Sequence, residues 1–264
     1  MWLISGYDGS TGYSRKVFNS DNGVNWQEVS TNALPIAIDD HSSIVFNNKI
    51  WVIGGNNLGT YSKKVFYSSD GINWLEAGTD SLPIALASHS SVIFNNKIWV
   101  IGGYLNGGFS YSHKVFFSTD GVNWVEAGSD VLPVDLASHS SVVFNNKMWI
   151  IGGYTSNTSS QKVYYSSDGI TWKEAGTDAL PIGLGSNTTE IFDNKIWTIG
   201  GINNKVFYSA DGFNWKEVDN TLPYGIRNHT SLVFNKKLWV LGSDQSRTQD
   251  TKSFFSTSPI PSCH

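Results

Sequence analysis

The residues best equipped for chemistry recur at regular intervals, and that regularity limits what each can do. Histidine stands at 41, 89, 139 and 229, each time before two hydroxyl residues, with Asn187 taking the place in a fifth copy. Four imidazoles invite a metal centre. Zinc, however, needs nitrogen contacts of about 2.0 to 2.1 Å from three or four ligands, which side chains on separate repeats cannot supply. Each imidazole is therefore expected to hydrogen-bond to neighbouring loop backbone, and no metal or cofactor is expected. Aspartate recurs at 21, 70, 120, 168 and 211, one or two residues before a glycine. Calcium ligation or acid catalysis would not call for five copies, whereas an Asx turn beside a flexible Gly would. Three charged residues break the pattern instead. Glu190 stands where the other copies have Ile44, Val92, Val142 and Leu232; Arg227 replaces Ala87, Ala137 or Gly185; Asp135 interrupts a run of small and apolar residues after Pro133. An unpaired carboxylate at position 190 would cost several kcal/mol to bury, so it must reach water, find a cation or be protonated. These three are read as a polar patch, and no residue is assigned a catalytic role.

The elements that position these residues repeat as well. Lys49-Ile-Trp-Val-Ile-Gly-Gly55 returns at 97–103, 147–153 and 195–201, with degraded copies at 1–6 and 237–243. Its tryptophans at 2, 51, 99, 149, 197 and 239 are spaced by 49, 48, 50, 48 and 42 residues. Such a period belongs to propeller-like arrays. Each unit holds four strand-like segments. Segment a is His-Ser-Ser-apolar-apolar-Phe, closed by an Asn-Asn pair suited to a tight hairpin. Segment b is the Ile-Trp-Val-Ile run, apolar at every position as a strand covered on both faces requires. Segment c is Lys-Val-Phe-Tyr-Ser, and a Ser-Asp-Gly turn leads to d, Asn-Trp-x-Glu. No stretch shows a helical period.

Paired glycines closing a hydrophobic strand, then an aromatic and a Trp seven residues later (Tyr67 and Trp74, Phe117 and Trp124, Tyr165 and Trp172, Tyr208 and Trp215), resemble the kelch repeat, as in the central domain of galactose oxidase. The turn Asn19-x-Asp21-x-Gly23-x-x-Trp26 also resembles the Asp-box of sialidase-like propellers. The resemblance implies an all-β, kelch-like β-propeller spanning residues 1–264 as one domain, with blades beginning near 1, 41, 89, 139, 187 and 229. Segments b and c occur six times but a and d five, so the expectation is six blades and 22 strands, the first and last blades incomplete. Either the ring closes imperfectly or the chain is excised from a longer polypeptide. In kelch-like blades segment a is innermost, which brings the histidines, Glu190, Asp135 and Arg227 to the mouth of the channel. All 11 Trp fall in segments b or d and are expected to fill space between blades.

Antiparallel strands put the b-to-c and d-to-a connections on one face of the ring and the monotonous turns on the other. The first face is varied and rich in Tyr, Ser, Gly and Asn, the composition of adaptable recognition loops. Tyr7, Tyr13, Tyr61, Tyr104, Phe109, Tyr111 and Tyr154 are the residues expected to touch a ligand.

Composition narrows the partners. With 264 residues and a net charge of −4 from 18 basic and 22 acidic side chains in no long run, the chain has no basic footprint for nucleic acid. Nothing approaches the roughly 18 apolar residues of a membrane span, and the start does not read as a signal peptide. The lone Cys263 excludes an internal disulfide. The leading expectation is a non-enzymatic recognition scaffold for a protein or a carbohydrate. One alternative is a carbohydrate-active propeller enzyme, sialidase-like or sialic-acid epimerase-like; the other is a structural module of a larger surface protein. Sialidase-like chemistry needs an arginine cluster, and this chain has only Arg15, Arg227 and Arg247. Galactose-oxidase-like copper chemistry needs a Cys cross-linked to Tyr, and Cys263 stands near the last residue. Low charge with abundant Ser, Asn and Trp suits an extracellular or cell-surface setting if the chain is part of a longer protein.

Overall fold

The computed structural model describes residues 1–7, 12–30, 33–105, 110–129, 131–156, 158–201, 203–219, 222–245 and 248–255, with the backbone alone from 243 onward. Among them every regular element is a strand. An N-terminal sheet holds β1 (Trp2–Tyr7), β2 (Tyr13–Asn19) and β3 (Gln27–Ser30). Next come β4 (Ser42–Phe46), β5 (Lys49–Ile53), the short pair β6 (Asn56–Asn57) and β7 (Thr60–Tyr61), then β8 (Val65–Ser68) and β9 (Leu75–Glu76). The pattern returns in β10 (Ser90–Phe94), β11 (Lys97–Ile101), β12 (Tyr104–Leu105), β13 (Ser110–Tyr111), β14 (Val115–Ser118) and β15 (Val125–Glu126). It returns again in β16 (Ser140–Phe144), β17 (Lys147–Ile151), β18 (Tyr154–Thr155), β19 (Thr158–Ser159), β20 (Val163–Ser166) and β21 (Lys173–Glu174). A shorter unit follows: β22 (Asn187–Phe192), β23 (Lys195–Gly200), β24 (Val206–Ser209) and β25 (Lys216–Glu217). The last sheet is β26 (Thr230–Phe234), β27 (Lys237–Gln245) and β28 (Thr248–Phe255).

Four antiparallel sheets are thus four-stranded, in the orders β4-β5-β8-β9, β10-β11-β14-β15, β16-β17-β20-β21 and β22-β23-β24-β25. The chain is a β-propeller, and the expectation of six blades is corrected to five. Five sheets present an innermost strand, and β4, β10, β16, β22 and β26 stand side by side in that order. The N-terminal sheet begins one position further out, because β1 is a copy of segment b and among the described residues has no segment a beside it. Counting the Trp of segment b gives six; the segment that makes a blade reach the channel occurs five times. The 22 strands expected become 28 among the described residues, since three b-to-c connections carry a two-stranded ribbon, β6-β7, β12-β13 and β18-β19.

Tight geometry follows from the sequence. The Asn-Asn pairs between innermost and second strands adopt left-handed backbone, as at Asn95 (φ 49°) and Asn96 (φ 56°), the conformation a two-residue hairpin demands. In the c-to-d turn Asp120 Oδ1 accepts the N–H groups of Val122 and Asn123, both at 2.8 Å. Although partial burial pushes its carboxyl up, these donors win and hold it down at about 2. Asp70, Asp168 and Asp211 form the same turn, while in the first sheet Asn22 takes the place expected of Asp21.

Five apolar clusters fill successive gaps between neighbouring sheets. Three of them are keyed by an indole from one sheet lying over a glycine of the next. A Cβ built on Gly121 would stand 2.3 Å from the Trp51 ring, on Gly169 2.3 Å from Trp99, and on Gly212 2.3 Å from Trp149. The circle closes the same way, with Trp239 over Gly23 at 2.7 Å. Gly121→Ala is therefore expected to cost about 2 to 4 kcal/mol, from overlap plus a φ of +79°. Gly59→Ala, at φ +88° with nothing within 4 Å, should cost only about 1 kcal/mol. Urea midpoints of the two variants check the comparison.

Candidate functional site

The channel mouth is built from the residue that opens each innermost segment and the one before it. Asp40, Ser88, Ser138 and Ser186 all take left-handed φ near 50° to 57°. Their backbones then join around the channel: Ser88 N–H donates to Asp40 O, Ser138 to Ser88 and Ser186 to Ser138, each at 2.8 Å. A second tier lies just inside. His89 Nε2 meets Ser42 Oγ at 2.9 Å, His139 Nε2 meets Ser90 Oγ at 2.7 Å, and His229 Nε2 meets Thr188 Oγ1 at 2.8 Å. The partner of Nε2 is thus a hydroxyl of the preceding blade. Asn187 fills the fifth place, donating to Ser140 Oγ at 2.8 Å and to Thr198 Oγ1 at 2.9 Å. Together these tiers line an open cavity of about 140 Å³.

Burial decides the ionisation of this ring. Desolvation drives His89 and His139 down to about 3 and His41 and His229 to about 4, so all four are neutral at pH 7. Among the described residues no three His, Cys, Asp or Glu side chains converge to hold a metal.

Glu190 projects from β22 and accepts a hydrogen bond from Ser231 Oγ of the adjacent innermost strand at 2.9 Å. Burial raises its carboxyl to about 7, only partly offset by that bond. Asp135 pairs with Nδ1 of His113 in an exposed contact away from Glu190's strand. Arg227 is exposed on the connection into β26. The expected three-residue patch is thus distributed over three different connections and strands.

The tyrosines lie on the ribbons and the connections beside them. Tyr7 and Tyr13 meet edge to face at 5.5 Å between ring centres, and Tyr104 and Tyr111 pair across β12-β13 at 5.1 Å. The Tyr13 hydroxyl accepts from Asn56 Nδ2 at 3.0 Å, tying the N-terminal sheet to the β6-β7 ribbon. Tyr154 covers Gly185, where a Cβ would be 2.5 Å from its ring. Burial pushes the Tyr104 hydroxyl up to about 12, with Ser138, Tyr111 and Tyr154 as its neighbours. Tyr61 is raised by burial and then by the nearby Asp40 and Asp39. Tyr7 is 62% exposed and the others half-buried. Phe109 lies outside the described residues.

One feature of the mouth was missed from sequence. Asp39 and Asp40 stand side by side, and desolvation, with Asp40 adding repulsion, raises Asp39 to about 7. Asp40 is itself raised by burial and steadied by Ser88. The signal was available: Asp39 occupies the position of Ala87, Ala137, Gly185 and Arg227.

These shifts fix the pH response. The folded state prefers Asp39 and Glu190 protonated, so their contribution is complete below the ordinary carboxylate range and is lost as pH rises through about 7. The histidines prefer to be neutral, so theirs is complete above about 6.5 and lost as pH falls toward 4. Thermal unfolding should therefore be highest near pH 6. Glu190→Gln, which keeps an acceptor for Ser231, should gain about 2 kcal/mol over the parent at pH 9 and little at pH 4. Melting curves across that range check both statements.

Comparison with known proteins agrees with the fold. Residues 110–209 match the model of the DUF6242 beta propeller domain. No curated protein matches by sequence. The solved structure titled "Structure of YjhT" is similar over 97% of this chain and 94% of that one, with a TM-score of 0.78 at 16% identity. At that identity the likeness is one of fold, and this chain is similar to both as a β-propeller.

Proposed function

We propose that this kelch-like propeller is a non-enzymatic recognition scaffold that binds a protein or a carbohydrate through the rim of its b-to-c ribbons and d-to-a connections. The carrying observation is the set of tyrosines mounted on paired ribbons around the mouth. Tyr104, Tyr111 and Tyr154 stack or pack on one another and on backbone, so they offer ring faces and hydroxyls already fixed in place. Pre-ordered aromatic anchors lose little entropy on binding, which makes Tyr an economical contact residue for sugars and proteins alike. The Asp-box-like turns lie at the opposite face and serve the scaffold.

A second reading, a carbohydrate-active enzyme of the propeller class, is favoured by the carboxyls of Asp39 and Glu190, both held near 7 where proton transfer is efficient. The two readings separate cleanly. Glycan-array binding and pull-down should both weaken about tenfold or more in Tyr104→Ala and Tyr154→Ala and persist in Lys216→Ala on an outer strand. A scaffold keeps its ligand unaltered and binds equally well as Asp39→Asn. Turnover of a bound glycan that disappears in Asp39→Asn would establish the enzyme instead, and rim variants identical to the parent in every binding assay would leave a purely structural module of a larger surface protein.

A further inference from the structure

The open cavity at the channel mouth gathers polar atoms that nothing else in the described fold answers. Asn187, 5% exposed, sends its amide nitrogen to Ser140 Oγ, Thr198 Oγ1 and Ile151 O, and its Oδ1, which can only accept, is buried without a donor. His89, His139 and His229, 6% to 8% exposed, set Nε2 against a hydroxyl and leave Nδ1 with no partner. All four line the cavity together with Asp40, whose carboxylate is the one acid on its wall. Among the described residues Asp40 enters no ion pair. The imidazoles around it are neutral at pH 7, so its charge has no counter-charge, and burial raises its carboxyl accordingly. Asp39, the neighbouring acid, faces Asn56 and does not line the cavity. Tyr61 stands within electrostatic reach of Asp40 on the ribbon side.

We propose that this cavity is a socket for the ammonium of a lysine side chain presented by a partner protein, held by the Asp40 carboxylate with the Tyr61 ring beside it. The inference rests on the recognition reading above and narrows its ligand to a protein. A lone buried carboxylate and unanswered acceptors are both relieved by a donor-rich cation, which forms charge-assisted bonds and is attracted to a tyrosine face. A metal ion suits the place less, because no three His, Cys, Asp or Glu side chains converge among the described residues. Size argues against an amino sugar. The 140 Å³ of the cavity equals the liquid share of about five waters, room for a slender chain tipped by nitrogen and not for a sugar ring. Residues 256–264 of this chain contain no Lys or Arg that could fill the socket.

The test titrates the whole chain at pH 8 with N-acetyl-lysine methylamide, with the norleucine amide that lacks the amine, and with glucosamine, following backbone amide shifts by NMR. Saturable binding of the lysine compound in the millimolar range is expected, with the largest shifts around Asp40, Tyr61 and Ser88, and at least about tenfold weaker binding of the other two. Asp40→Asn keeps the shape, removes a charge that burial disfavours, and should weaken binding about fivefold or more. Lys216→Ala on β25 should leave it unchanged. No saturation, norleucine or glucosamine binding as tightly as lysine, calcium chloride binding the same residues more tightly, or a folded Asp40→Asn equal to the parent would each overturn the socket. If Asp40→Asn does not fold, the lysine and norleucine comparison alone decides. The rim variants Tyr104→Ala and Tyr154→Ala test the recognition reading separately, so the socket can fail while that reading stands.

Discussion

The whole ring rests on how one indole is held. Its N–H is fixed to the carbonyl of a Phe within its own blade, and its six-membered ring fills the space over a glycine in the next. The first contact sets the ring's orientation and the second sets the distance between sheets. Because a Cβ cannot fit between them, the glycine is required twice over, for its positive φ and for the close approach. Burying five indoles so bonded, four of them over a glycine, to within a few per cent of full exclusion from water supplies apolar area between sheets, and repetition does the rest.

Much of this was legible because a repeated packing problem repeats its solution. The all-apolar second strand, the Asn-Asn hairpin and the Ser-Asp-Gly turn each have a local physical cause, so they could be read directly. The blade count could not be read by the same route. Trp2 carries the signature of a packed second strand, yet whether a blade reaches the channel depends on having an innermost neighbour, a pairing between segments far apart in sequence. Trp2, although 36% exposed, still lies over Gly71 of the next sheet, as expected of an indole between blades. The ribbons β6-β7, β12-β13 and β18-β19 were hidden for another reason. Two-residue strands are stabilised by bridges to neighbouring connections, as Ala87 does with Tyr104 and Ala137 with Tyr154, and not by their own propensity.

The site was legible by residue type more than by grouping. Comparing copies singled out Glu190 as a carboxyl that must reach water, find a cation or be protonated; in the structure burial raises it and Ser231 of the next blade donates to it. The same comparison, applied one residue before Ser88, would have found Asp39. It also explains Asn187. Where His occupies this position, the second strand of the same blade offers an apolar residue at Val52, Val100 or Val240; where Asn does, the strand carries Thr198, whose hydroxyl accepts an amide hydrogen that imidazole would not have. The two substitutions compensate one another within a single blade.

A mouth so fully cross-bonded changes what the rim can do. Backbone links between successive Asp40, Ser88, Ser138 and Ser186 positions fix the roots of the d-to-a connections, and ribbon bridges fix the b-to-c connections to those roots. Variation is then tolerated at the tips, because no tip residue is needed to hold the blades apart. Indoles and glycines carry the ring's stability, and the tyrosines above them are left out of that task. Physical separation of these two tasks along each blade is what allows near-identical repeats to present a non-repeating surface.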